Sequence, residues 1–326
     1  MESPINWLLE SNQPATRYRA LTELLDRSEK DPEVQKVFSE IPKRGWAREI
    51  LDEQLPGFRV QGKWQFQGYW HNYVYLNRPK YVTTVWKFLV LIDLGLTAKN
   101  DQVRKTCELL SDRYVSLKEN YHLCMTANLS RAFLKAGFDK NDRVRRALDW
   151  LVSEQKEDGG WHCFESKKGT LDCWEPLSTF SALPKSRWSR KIKLSVERGA
   201  EFYLSRRLYR EGSKKYSGWF RFHYPVHYYY DLLVGLDVIT SLGYGRDPRI
   251  KFALDFLRKR QKSDGTWILD AVQPDIPKDL PETEYSFSPP FEPFPAIPFA
   301  LEKIGKSSKM TTLRALNVLK RVEESS

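Results

Sequence analysis

Cys124, Cys163, Cys173 and His227 carry the side chains in this chain best suited to hold a metal. Three thiolates and an imidazole match a tetrahedral zinc shell, or a catalytic one when a ligand gives way to water. None of them forms a Cys-x-x-Cys pair, so only folding could bring them together, and the plainer reading is buried small side chains. Cys107 falls on the apolar stripe of a helix and reads as a packing residue. A second set lies in the aromatic and basic stretch from Trp219 to Asp231, which holds Arg221, His223, His227, Tyr229 and Asp231. His and Tyr can act as acid and base, Arg can clamp an anion, and aromatic faces stabilise cations. Such equipment would serve a lyase or hydrolase of acidic polysaccharides; aromatic packing at a helix start competes with that reading. Lys167-Lys168 would suit a diphosphate or simply an exposed loop. Trp64, Trp70, His71, Tyr73, Tyr75, Arg78, Lys80 and Tyr81 form a third group that reads as a lid, a rim or packing.

What must position these residues is a repeat. Gln155-Lys-Glu-Asp-Gly159-Gly160-Trp161 recurs as Gln261-Lys-Ser-Asp-Gly265-Thr266-Trp267. Each follows a helix with apolar residues at i, i+3, i+4 and i+7: Val144, Ala147, Leu148, Leu151, and Ile250, Ala253, Leu254, Leu257. Gly supplies the positive φ that ends a helix, and Trp folds back as an apolar plug. A degenerate third copy is expected over 57–64. Helices apolar on all sides should begin near Tyr18, Val82, Cys124, Trp174, Tyr228 and Ile297. Amphipathic ones should follow near Pro32, Asp101, Asp142, Arg190, Pro248 and Met310, the first running from Val34 to about Gln54. All-apolar helices belong inside and striped ones outside. Six pairs therefore predict an all-α (α/α)6 barrel, a toroid of six inner and six outer helices, in preference to an open solenoid. No linker divides the chain, so residues 1–326 read as one domain.

The chain has 326 residues, 41% hydrophobic and 29% charged, enough for a sizeable core. No apolar run approaches the ~20 residues that span a bilayer, and the first residues lack a signal-peptide pattern, so a soluble cytoplasmic protein is expected. Four cysteines then read as thiols or ligands rather than a disulfide framework. The net charge of +11 permits anionic partners or peripheral membrane contact. The basic residues are spread over helix faces, however, so no specific nucleic-acid site is expected.

The Gln-x-x-x-Gly-x-Trp turns, set between outer and inner helices, resemble the repeats of the squalene-hopene cyclase and protein prenyltransferase β-subunit superfamily over roughly residues 80–305. The resemblance implies a terpene cyclase-like or prenyltransferase-like protein with an isoprenoid or other small apolar substrate in a central cavity, and zinc at the rim. Two departures matter. The Asp-x-Asp-Asp acid of class II terpene cyclases is absent, which leaves Asp231 or Asp93 as an acid if burial raises its pKa. The Asp-x-Cys zinc pair is replaced by adjacent Asp172-Cys173, although His227 does precede Leu233-Val-Gly235-Leu236. A ring that binds without catalysing also fits, because fold does not dictate chemistry.

Overall fold

The computed structural model describes residues 3–60, 63–65, 67–70, 76–77, 81, 83–114, 123–210, 216–272 and 300–324. The chain opens with α1 (Pro4–Leu8) and α2 (Pro14–Arg19), the latter continued by a π-helical turn, Ala20–Leu24. Next come α3 (Pro32–Glu40), α4 (Gly45–Asp52) and a hairpin of β1 (Phe58–Val60) with β2 (Lys63–Gln65). Helices α5 (Thr84–Asp93), α6 (Asp101–Tyr114), α7 (Leu123–Lys135) and α8 (Asp142–Ser153) alternate apolar and amphipathic. The alternation continues through α9 (Glu175–Ser181), α10 (Arg190–Ser205), α11 (Leu232–Ser241), α12 (Lys251–Lys259) and α13 (Lys309–Glu324).

These helices close into the (α/α)6 toroid. Neighbours run α5, α7, α9, α11, α13 and α2 around the inside. Arg19 on α2 closes the circle by donating to the Asp93 carbonyl at the end of α5 (3.1 Å). Outside them lie α3, α6, α8, α10, α12 and α1, packed respectively on α2, α5, α7, α9, α11 and α13. The segregation follows from the residues. Every position from Thr84 to Ile92 of α5 is buried, whereas α8 buries only Val144, Ala147, Leu148 and Leu151.

Three boundaries differ from expectation. Pro42 and Gly45 (φ +68°) break the expected 34–54 helix into α3 and α4. Where a third Gln-to-Trp turn is expected over 57–64, the described residues pair as the antiparallel strands β1 and β2, while 61 and 62 lie outside the described residues. The sixth pair is also reassigned. Residues 297–299 lie outside the described residues, 300–308 are not helical, and α13 is itself the inner helix, with α1 as its outer partner. Arg314, Lys320 and Arg321 make α13 look amphipathic, yet Arg314 and Arg321 point into the lumen of the ring, where a charged side chain still meets water.

The two repeats are built alike. Trp161 and Trp267 are fully buried, and each indole N–H donates 2.8 Å to a carbonyl of the preceding helix, Leu151 or Leu257. Gln155 and Gln261 donate to the carbonyls of Gly159 and Gly265, whose φ values are +88° and +81°. The next position differs for a local reason. A Cβ on Gly160 would lie 2.5 Å from the Phe202 ring, whereas Thr266 fits and hydrogen-bonds Asp264 and Ser307. Gly160→Ala should therefore destabilise by about 1–3 kcal/mol through overpacking, and Thr266→Ala by less. Urea midpoints of the two variants check this; equal losses would count against it.

Candidate functional site

All six inner helices contribute, mostly from their C-terminal halves, to a central cavity of about 210 Å³. Its walls carry five cations, Arg19, Arg131, Lys135, Arg314 and Arg321, against three carboxylates, Glu23, Asp93 and Asp237. One cation also meets a helix end: Arg19 donates to the carbonyl of Asp93, the last residue of α5 (3.1 Å), which the helix dipole favours. Burial alone would raise Asp93, but Arg19, Lys135, Arg314 and Arg131 hold its carboxyl well below the usual range. Asp237 behaves alike: burial is outweighed by Arg321 at 2.8 Å and Arg314 at 3.4 Å. Burial lowers Arg131 and Lys135, with Asp93 opposing. The Arg131 guanidinium is oriented by Ser178 (3.0 Å) and Asn128 (2.9 Å) and lies over the Trp174 ring.

His227 lines this cavity and is 3% exposed. Its ring stacks on Tyr81 with centroids 5.4 Å apart and meets the edge of Trp86 at 5.0 Å. Asn128 donates to its backbone carbonyl (2.7 Å). Its Nε2 has no hydrogen-bond partner among the described residues. Burial first, then the charge of His223, pushes its pKa down to about 3. The imidazole is neutral at pH 7, with a lone pair or N–H available to a ligand. Tyr224, three residues earlier and followed by a cis Pro225, is equally buried. Its hydroxyl lacks a partner among the described residues, and burial raises its pKa well above the ordinary value. Both side chains lie within electrostatic reach of Asp93.

The other predicted catalytic residues occupy the approach to α11. Asp231 is its N-cap: Oδ1 accepts from the Val234 N–H (2.8 Å), and Oδ2 meets the His223 Nδ1 (2.6 Å) and N–H (3.1 Å). Its hydrogen-bonding capacity goes to fixing a turn and orienting His223, whose own Nε2 is unpartnered among the described residues. Tyr229 meets the His223 ring edge-on at 6.2 Å, and Arg221 donates to the Asp270 carbonyl (2.9 Å). The acid that burial does raise well above the carboxylate range is Glu175, on the first turn of α9 and 1% exposed. Asp93, by contrast, is held ionised.

The predicted metal shell is brought together in part. Cys124 and Cys163 are joined as a disulfide, and Cys173 Sγ lies 3.4 Å from Cys163 Sγ. Instead of joining this cluster, the His227 ring packs on Tyr81 and Trp86 and faces the cavity. Disulfide sulfurs carry no thiolate charge, so these residues, as paired, do not fit zinc, and no group of three His, Cys, Asp or Glu among the described residues is arranged to hold a metal. For Cys124 and Cys163 the disulfide also corrects the expectation of thiols or ligands, while Cys107 and Cys173 remain thiols. Cys107 is buried, as expected, and burial pushes its thiol up to about 12. Trp70 and Tyr81 are buried packing residues. His71, Tyr73, Tyr75, Arg78 and Lys80 lie outside the described residues.

Sequence reasoning missed Arg131, Lys135, Arg314, Arg321 and Glu175. The available signal was a charge on a helix otherwise apolar all round, as in Arg131 of α7 and Glu175 of α9.

No family model and no curated protein matches the chain. Among solved structures it resembles a polysaccharide lyase at 12% identity, covering 96% of this chain and 90% of that one with a TM-score of 0.45. It also resembles the type II terpene cyclase MstE from Scytonema, at 17% identity over 97% and 87% of the two chains, again with a TM-score of 0.45. A variant of that cyclase with one aspartate changed to alanine, in complex with merosterolic acid A, matches at 14% identity over 99% of each chain and a TM-score of 0.45. No helix among the described residues is long and apolar enough to cross a membrane.

Proposed function

We propose that the ring takes a small organic anion, such as the carboxylate-bearing unit of an acidic sugar, into its centre and moves a proton with His227. The observation that carries this reading is the His227 imidazole, held neutral by burial and with an Nε2 unpartnered among the described residues, in a cavity where five cations outnumber three carboxylates. Cations beside a carboxylate stabilise charge that develops when the carbon next to it loses a proton. Arg131, preset by Ser178 and Asn128, is the clamp best oriented for this. A neutral imidazole accepts that proton and, once protonated, can return it to the departing oxygen, which completes an elimination. Thermal shift with glucuronate and with inorganic phosphate, alongside ultraviolet detection of unsaturated product from acidic polysaccharides, tests the reading. Melting should rise with the anions and the rise should vanish in Arg131→Ala. No shift with any anion would overturn it.

A second reading, an isoprenoid substrate, rests on Glu175. Its Oε2 is unpartnered among the described residues, and it sits between Trp174 and Pro176 on a helix that also buries Phe180. A buried neutral carboxylic acid with aromatic faces nearby is what protonation of an alkene and shielding of a carbocation require. The excess of cations over carboxylates in the cavity favours a prenyl diphosphate over a bare hydrocarbon, which brings no counter-charge. Glu175→Gln separates the readings: it should abolish conversion of a prenyl substrate while leaving glucuronate binding intact.

A further inference from the structure

Away from the cavity, at the start of α7 and in the loop leading into α9, three sulfurs meet. Cys163 is bonded to Cys124, 39 residues away in sequence, and Cys173 Sγ approaches Cys163 Sγ to 3.4 Å. We propose that Cys124, Cys163 and Cys173 form a redox site in which one disulfide passes between two pairings, with glutathione or a small dithiol as the external partner. The direction follows from position. Attack by Cys173 on Cys163 forms the 163–173 bond, breaks the 124–163 bond, and leaves the proton of Cys173 on Cys124. The exchange conserves atoms and electrons and needs no oxidant. Cys124 suits the leaving position because it lies on the first turn of the thirteen-residue helix α7, whose N-terminus favours a thiolate.

Burial orders the external step. Cys173 is only 5% exposed, whereas Cys124 and Cys163 are partly exposed, so an outside thiolate attacks one of those two sulfurs, forming a mixed disulfide there and releasing the other as a thiol; a second outside thiol then removes the first as its own disulfide, carrying off two electrons. The pairing also bears on the ring. Cys163 follows the Trp161 plug by two residues, and α7 carries Asn128, Arg131 and Lys135. The 124–163 bond ties α7 to the first repeat turn; exchange unties it and fastens the turn to the entrance of α9.

Disulfide mapping decides the matter. The full chain is equilibrated across glutathione redox ratios, acid-quenched, alkylated and digested. Both the 124–163 and 163–173 linkages should appear, with Cys124 alkylated in molecules that carry the second. Cys173→Ser should confine the chain to 124–163 and Cys124→Ser to 163–173, with circular dichroism confirming the fold. Should a variant unfold, the wild-type map alone decides. Cys107 should react only after denaturation. A single 124–163 linkage at every ratio would overturn the proposal. So would three thiols holding one zinc per chain, lost in each serine variant.

Discussion

Trp161→Ala should lower the unfolding free energy by about 3–5 kcal/mol, the range for removing a fully buried large aromatic. The indole is fully enclosed between α10 and α9: a Cβ added at Gly199 would stand 2.9 Å from the indole and 3.0 Å from Leu177. Three elements thus lose a shared contact, and the Leu151 carbonyl loses its donor. Trp161→Phe keeps most of the volume and removes the hydrogen bond, so about 1–2 kcal/mol is expected there. Trp267→Ala should behave as Trp161→Ala does, because its indole makes the equivalent bond to Leu257. Urea midpoints and melting temperatures of the four proteins, wild type included, give the comparison. A loss under about 1 kcal/mol for either alanine variant would mean that the repeat is not what holds neighbouring helices together.

His227→Gln should reduce turnover on an anionic substrate by about 10²–10⁴, the usual contribution of a positioned general base, with binding changed only a few-fold. Because the pKa of His227 is pushed down to about 3, the base stays competent in moderate acid, and no decline centred at the ordinary histidine value should appear. A matching effect on stability follows. The unfolded chain binds a proton on this imidazole below about pH 6.5, while the native state refuses it until about pH 3. The contribution is therefore complete above the unfolded value and declines as pH falls between the two. Wild type should lose more stability than His227→Gln between about pH 7 and pH 4. Asp93 and Asp237 are present in both proteins and largely cancel in that difference. Parallel melting curves against pH for the two proteins would refute the assignment of a buried neutral imidazole.

Local patterns made the ring legible before any coordinates. The spacing of Val144, Ala147, Leu148 and Leu151 is a helical stripe whatever surrounds it, and Asp31-Pro32 announces a helix start that the structure bears out, with Asp31 capping the Glu33 N–H (2.8 Å). The doubled Gln, Gly and Trp spacing likewise predicts a plugged turn in each copy, since those bonds lie within a dozen residues. The charged lumen was hidden for the opposite reason. Arg131 and Arg321 satisfy the same helical pattern whether the water they meet is outside the ring or inside it, so only closure distinguishes an outer face from a cavity wall. Closure also decided that α13 is an inner helix partnered by α1, because Lys309 of α13 donates to the Trp7 carbonyl of α1 and pairs with Glu10 just beyond it (2.8 Å).

Sequence by itself determined the helix alternation and the chemistry of the two repeat turns, which follow from interactions between near neighbours, and the alternation predicted the (α/α)6 toroid that contacts between distant residues close. Tertiary structure alone decided which carboxyl burial pushes toward its neutral form, which imidazole nitrogens lack a partner among the described residues, and which cysteine joins which. Those properties depend on desolvation and on charges many residues away, and neither is written in any short stretch of chain.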